Sequence, residues 1–62
     1  MEMIQVVLTT PANVETVLTT TTDEHILNAI TMYANELNMG IRENWAFYKN
    51  ADGTTLTIRD LY

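Results

Sequence analysis

The chain has 62 residues, no cysteine and a formal charge of −5, from eight acidic and three basic side chains. The lack of cysteine excludes a disulfide framework and a thiolate zinc site. With so few Lys and Arg residues to neutralise phosphates, we expect neither nucleic acid nor an anionic membrane surface as a partner. No apolar run approaches the roughly 20 residues that span a bilayer. Hydrophobic residues make up 47% of the chain, which is typical of a folded protein, and we predict a single domain over residues 1–62.

Two strands joined by a turn are predicted at the start of the chain. The first, "MIQVVLTT", is rich in β-branched residues, and its alternation places three aliphatic side chains on one face, namely Ile4, Val6 and Leu8. The segment "TPANV" is typical of a turn, because proline fixes φ and asparagine tolerates turn geometry. The second strand, "VETVLTTT", has an ambiguous inward face, since Val14 and Leu18 share one parity and Val17 has the other. We place Leu18 inward, with Thr16 beside it.

A helix is predicted after the second strand. The segment "TTDE" fits a capping box, in which Thr21 accepts a hydrogen bond from the amide of Glu24 and the Glu24 carboxylate reaches back, with Thr22 as a competing cap. An apolar stripe with helical spacing follows: Ile26, Leu27, Ile30, Tyr33, Ala34 and Leu37. Gly40 suits the left-handed position after the last turn. We therefore expect a helix from about residue 22 to about residue 39.

The last third of the chain, "ENWAFYKNADGTTLTIRDLY", predicts two more strands around a tight turn. The alternation in these strands places Trp45 and Phe47 on the core face together with Leu56 and Ile58. Between the strands, residues 50–53 suit a type I turn that ends in a glycine with positive φ.

The order strand, strand, helix, strand, strand predicts an α+β fold in which one face of a four-stranded sheet packs against the helix. A right-handed crossover would place the first and last strands side by side in the centre of the sheet, running parallel. The sequence therefore predicts a mixed sheet with the strand order 2-1-4-3, a β-grasp-like ββαββ arrangement.

Several short motifs resemble known domains with that arrangement. "YAN" at residues 33–35 and the pattern Trp45-x-Phe47 are similar to the immunoglobulin-binding domains of streptococcal protein G. "GTTLTIR" at residues 53–59 resembles the last strand of the corresponding domains of peptostreptococcal protein L. The motif "DGTTL" is also similar to the ubiquitin-like branch of the β-grasp architecture, although no C-terminal Gly-Gly follows for conjugation. These resemblances imply a β-grasp fold.

The resemblance to protein G also implies a candidate binding site. Protein G binds the Fc of immunoglobulin through the outer face of its helix and the start of its third strand, and this chain keeps only Asn35 and Trp45 of the matching positions. These two residues are the candidate partner-binding residues, with immunoglobulin as the first candidate partner. Another protein is the alternative, bound through the helix face or by strand addition to the edge strand at residues 14–20.

No catalytic, cofactor-binding or metal-binding residue is predicted. His25 is the only histidine, and a metal site would need further ligands at suitable spacing. Nucleophilic catalysis would need an activated Ser, Cys or Thr, and we do not expect an enzyme. The agreement of the signals at each level, with eleven threonines beside a single lysine, favours an engineered or redesigned β-grasp scaffold that stays monomeric. The alternative is a protein-binding module, either immunoglobulin-binding or ubiquitin-like.

Overall fold

Five strands and one helix are found in the residues that the computed structural model describes, which are residues 3–61. In chain order the elements are β1 (Met3–Thr9), β2 (Glu15–Thr22), α1 (Ile26–Glu36), β3 (Ile41–Asn44), β4 (Phe47–Lys49) and β5 (Thr55–Asp60). Met1, Glu2 and Tyr62, the ends of the predicted domain, lie outside the described residues. The α1 helix packs against one face of the sheet, so the predicted α+β class is confirmed.

The predicted four-stranded mixed sheet of order 2-1-4-3 is wrong in strand number and in the direction of its central pair, because a fifth strand is added at one edge. The strands form one sheet in the order β2-β1-β5-β4-β3, and each neighbouring pair is antiparallel. In the centre of the sheet, Val6 lies opposite Ile58 and Leu8 lies opposite Leu56. The central pair therefore runs antiparallel, where a parallel pair was expected.

This difference arises from one additional reversal of the chain after the helix. The chain turns at Trp45 and Ala46, where the predicted third strand was expected to begin, and this turn separates the unpredicted β3 from β4. The Ala46 amide donates a hydrogen bond of 2.8 Å to the side-chain oxygen of Asn44, which stabilises the turn. Because each hairpin reverses the chain, three strands after the helix bring β5 back antiparallel to β1, whereas two would have made the pair parallel.

The core lies between α1 and the helix-facing side of the sheet. Its buried residues are Ile4, Val6, Ile26, Ile30, Ala34, Tyr48 and Leu56. Leu8 and Ile58 are partly buried and pack against this cluster, which confirms the predicted inward faces of the first and last strands. Ile30 and Leu56 are fully buried, so the helix and β5 meet at the centre of the core.

The predicted inward placement of Trp45 and Phe47 is wrong. Tyr48 is the β4 residue that faces the helix, since it lies opposite Leu56 and is only 7% exposed. Phe47 lies opposite Thr57 on the side of the sheet away from the helix, which we call the outer face. Trp45 sits in the turn and is 47% exposed. The turn ends the alternation on which the prediction relied, and β4 starts one residue out of phase with it.

The ambiguity of the second strand comes from a β-bulge. Val6 of β1 pairs with Thr19 while Val7 pairs with Val17, so Leu18 is an extra residue between the two pairs. Leu18 packs against the core, as predicted, and its carbonyl accepts a hydrogen bond of 3.3 Å from the Tyr33 hydroxyl. The bulge lets Leu18 and Val17 serve different faces, which explains their mixed parity.

The helix is shorter than predicted at both ends. Thr21 and Thr22 continue β2 as partners of β1, and α1 begins after His25 without a side-chain cap. The β-branched threonines pair as a strand, so the predicted capping box is not formed. At the other end Asn38, with φ of 55°, takes the left-handed position that was predicted for Gly40.

Hydrogen bonds after the last helical turn complete a Schellman motif. The Met39 amide donates to the Ala34 carbonyl at 2.9 Å, and the Asn38 amide donates to the Asn35 carbonyl at 3.2 Å. Met39 is partly buried against the core, as the apolar residue after such a cap commonly is. The Gly40 amide donates to the Asn50 side chain at 2.9 Å, which ties the start of β3 to the next turn.

The predicted turn at residues 50–53 is confirmed. The Gly53 amide donates to the Asn50 carbonyl at 3.1 Å, and Gly53 has φ of 99°, a region that favours glycine. The Asp52 carboxylate accepts a hydrogen bond of 2.9 Å from the Thr54 amide. Hydrogen bonds from Thr54 lower the pKa of Asp52 below its ordinary value, so the carboxylate form stabilises the turn.

Leu56 tests the orientation of β5, because it is fully buried against the helix while Thr55 points to the outer face. We expect Leu56→Ala to lower the free energy of unfolding by about 2–5 kcal/mol, through lost contacts and a residual cavity. A domain of this size has about 3–5 kcal/mol in total, so the variant should be largely unfolded without denaturant. Thr55→Ala should cost less than half as much in urea melts. Equal costs would contradict the orientation of β5.

Candidate functional site

The two residues predicted to bind a partner lie on different elements. Asn35 is exposed on α1, and Trp45 is exposed in the turn between β3 and β4. The helix packs against β1, β2 and β5, whereas Trp45 is near the β3 edge of the sheet. Within residues 3–61, no hydrogen bond or cation–π contact joins Asn35 to Trp45. Both are reachable by a partner, and a shared binding role for them stays a prediction.

The residues with acid–base or metal-binding chemistry are dispersed. His25 Nε2 lies 3.2 Å from Glu24 Oε1, and both side chains are largely exposed to solvent. No group of three or more His, Asp or Glu side chains in the described part of the chain is arranged to hold a metal ion. No pocket is present among those same residues either. The expectation that the protein has no catalytic or metal site stays a prediction.

The α1 helix, the one helix found in residues 3–61, does not have the length and apolar character needed to cross a membrane.

The β2 edge is the longest open edge of the sheet. The strand has eight residues and lies at the end of the sheet, where it pairs on one side with β1. Six of its residues are threonine or valine, which favour extended strands, and none is proline or lysine. Its single charged residue is Glu15, and Oε1 of Glu15 lies 2.6 Å from a guanidinium nitrogen of Arg59. The strand therefore presents an extended backbone edge whose one charge is already paired.

The β3 edge, at the opposite side of the sheet, has features that discourage strand pairing. It has four residues, and two of them, Arg42 and Glu43, are charged. A bulge at Glu43 interrupts the register with β4, and the Glu43 carboxylate lies 3.3 Å from the Lys49 ammonium. Short length, charge and bulges are the means by which natural sheets protect their edges. The two edges of this sheet are thus unequal: β3 is short, charged and bulged, whereas β2 is longer and is interrupted only at Leu18, by the bulge and by the Tyr33 hydroxyl bonded to the Leu18 carbonyl.

The outer face of the sheet is covered by its own side chains. Val7 points to this face and is only 1% exposed. Glu15 lies opposite Thr9 and Arg59 lies opposite Gln5, so their ion pair crosses the face over Val7, which lies between those two positions on β1. Val17, the neighbour of Val7 on β2, is 46% exposed. Ile41 of β3, which lies opposite Lys49, is 42% exposed, so the exposed apolar side chains of this face lie at its two edges.

Arg42 lies over the ring of Tyr48 on the helix-facing side of β4. Its guanidinium carbon lies 5.7 Å from the centre of the Tyr48 ring, a cation–π arrangement. Arg42 also lies opposite Tyr48 in the β3–β4 pair. This contact gives Arg42 a structural role at the β3 edge.

We call the residues Val14–Thr22 the β2 edge surface. Val14, just before the strand, is 58% exposed, which adds a second exposed valine to Val17. The sequence predicted an edge strand at residues 14–20, and the structure places β2 at an edge of the sheet. What the sequence did not indicate is the contrast with the other edge, since residues 41–44 were not predicted to form a strand.

Comparison of the chain with protein-family models, with curated proteins and with solved structures gives no match. The resemblance to immunoglobulin-binding domains therefore stays a prediction from its short motifs.

The exposed position of Trp45 makes a direct prediction about its role. Because about half of this side chain is in solvent, Trp45→Ala should lower the free energy of unfolding by less than about 1 kcal/mol. Tyr48→Ala, which removes a buried ring three residues later, should cost about 3–5 kcal/mol. Chemical denaturation followed by circular dichroism measures both variants. A larger loss for Trp45→Ala would contradict the placement of Trp45 outside the core.

Proposed function

We propose that this protein is a protein-interaction module without chemistry of its own, and that it binds an extended segment of its partner by strand addition at the β2 edge surface. The observation that carries the proposal is the unequal protection of the two sheet edges. A long edge without lysine or proline is one that a folded protein ordinarily avoids unless another strand covers it.

Strand addition uses groups that β2 already presents. The backbone donors and acceptors on the side of β2 away from β1 have no strand beside them in the sheet. An eight-residue strand offers an edge of about 27 Å, long enough for several main-chain hydrogen bonds. Val17 and Thr20 on the outer face would contact alternate side chains of the added strand, which is how such sites gain specificity.

The engineered scaffold expected from the sequence is the weaker proposal. An idealised scaffold protects its sheet edges, caps its helices and keeps large apolar side chains out of solvent. In this chain β2 is open, α1 begins without a side-chain cap, and Val14 and Met32 are at least half exposed. These departures from idealised design support a binding role over an inert scaffold.

Immunoglobulin remains the first named candidate partner, and a titration tests it. Isotope-labelled protein is titrated with the Fc and Fab fragments of immunoglobulin while backbone amide chemical shifts are recorded. Changes at Asn35 and Trp45 would support the site that the resemblance implies, whereas changes along Glu15–Thr22 would support strand addition. The absence of any change with both fragments would remove immunoglobulin as a partner.

The strand-addition site is tested without a known partner by selecting binders from a displayed library of short random peptides. We expect the selected peptides to be rich in β-branched residues and to shift the amide signals of β2. Thr20→Lys, which places a cation on the open edge, should weaken their binding at least about tenfold. Thr31→Lys makes the same substitution on the exposed side of the helix and should change binding less than about twofold.

Two results of that selection would contradict the proposal. One is a library that yields no binder. The other is a set of binders that Thr20→Lys and Thr31→Lys weaken equally, which would show that the peptides respond to charge or bind elsewhere.

A further inference from the structure

We propose that the strand added to β2 is the β2 strand of a second copy of this chain, so that two copies form a dimer with one continuous sheet. This inference rests on the proposed function, because it uses the same edge and names its partner. It departs from the monomer expected from the sequence, and the reason lies in the edge that the fold leaves open.

Along the middle of β2, charge does not oppose the meeting of two strands. The chain as a whole carries a formal charge of −5, which disfavours self-association at long range. On β2 itself, however, Thr16–Thr22 is uncharged, and Glu15 is paired with Arg59 at 2.6 Å. Asp23 and Glu24 follow the strand directly, so like charges approach one another only at the ends of the pair, and acidic groups more than about 8 Å away are screened at physiological salt. Seven consecutive residues of β2 therefore meet without a charge between them.

A second β2 strand is also better prepared to pair than a flexible peptide. A free peptide loses conformational entropy for each residue that becomes ordered, and this loss opposes its binding. In a second copy the strand is already held extended by its pairing with β1 over Met3–Thr9. Two such strands about a two-fold axis bring β-branched side chains beside one another, and cross-strand pairs of threonine and valine are favourable.

The protected β3 edge predicts that the assembly stops at two copies. A sheet with two open edges would add strands at both sides and form a fibre. Here each copy has one open edge, and the antiparallel pairing of identical edges is self-complementary, so the interface closes. Because the two-fold axis is perpendicular to the sheet, both helices would lie on the same side of it.

The expected affinity is modest. A single strand edge of about 27 Å is small compared with the interface of a stable permanent dimer. We therefore expect dissociation constants in the micromolar to millimolar range, and the test has to reach concentrations of about 1 mM.

Sedimentation equilibrium over a hundredfold range of concentration tests the inference. We expect the apparent mass of the wild-type chain to rise towards that of two copies and no further. Thr20→Lys should weaken the dimer at least about tenfold, and the matched control Thr31→Lys should change it less than about twofold. As a measurement that needs no variant, hydrogen exchange of the wild-type β2 amides should slow as concentration rises, while that of the β3 amides should not.

Several results would overturn the inference. They are a mass of one copy at the highest concentration, a mass that grows beyond two copies, equal weakening by both variants, and β2 exchange that does not depend on concentration. If the wild-type chain stays single but β2 still binds selected peptides, the dimer is excluded and the proposed function stands. If β2 pairs neither with a second copy nor with a peptide, both proposals fail.

Discussion

The antiparallel pairing of β1 with β5 is the interaction on which the rest of the structure depends. It joins the N-terminal hairpin to the C-terminal strands, and it brings Leu56 next to Leu8 beneath the helix. Both Val6 and Leu56 are fully buried at this junction, so the core has its centre where the two halves of the chain meet. The helix packs against β1 and both of its neighbours, so β1 is the middle strand beneath the helix.

The direction of this pair also determines which edges the sheet exposes. The extra turn at Trp45 and Ala46 makes the last strand antiparallel to β1, and it creates a short charged strand, β3, at the far side. That strand protects one edge by its length, its charges and its bulge. The longer and nearly uncharged β2 is left as the open edge, so the proposed binding role follows from the same reversal that sets the topology.

Local features of the fold were predictable where one physical requirement dominated the sequence. The prediction of a turn at residues 50–53 was correct because such a turn needs a residue with positive φ, which glycine favours, and Gly53 has that conformation. The inward positions of Val6 and Leu56 followed from strict alternation. The predictions failed where two local solutions competed. Thr21 and Thr22 suit a helix cap and a strand equally, and pairing with β1 decided between them.

The topology was not predictable because the turn that sets it has no glycine or proline. The segment Asn44–Phe47 alternates like a strand, and only the asparagine that accepts from the Ala46 amide indicates a turn. Because the prediction did not include this turn, it made the central strand pair parallel and placed Trp45 in the core. The site was partly predictable: an edge strand at residues 14–20 followed from the element order, whereas its contrast with β3 depended on pairings between distant segments.

The direction of the central strand pair is tested most directly by nuclear Overhauser contacts between β1 and β5 in solution. The antiparallel register predicts that Leu8 is close to Leu56 and that Ile4 is close to Asp60. Contacts in the opposite order, with Ile4 close to Leu56 and Leu8 close to Asp60, would show a parallel pair and would contradict the antiparallel pairing of β1 with β5.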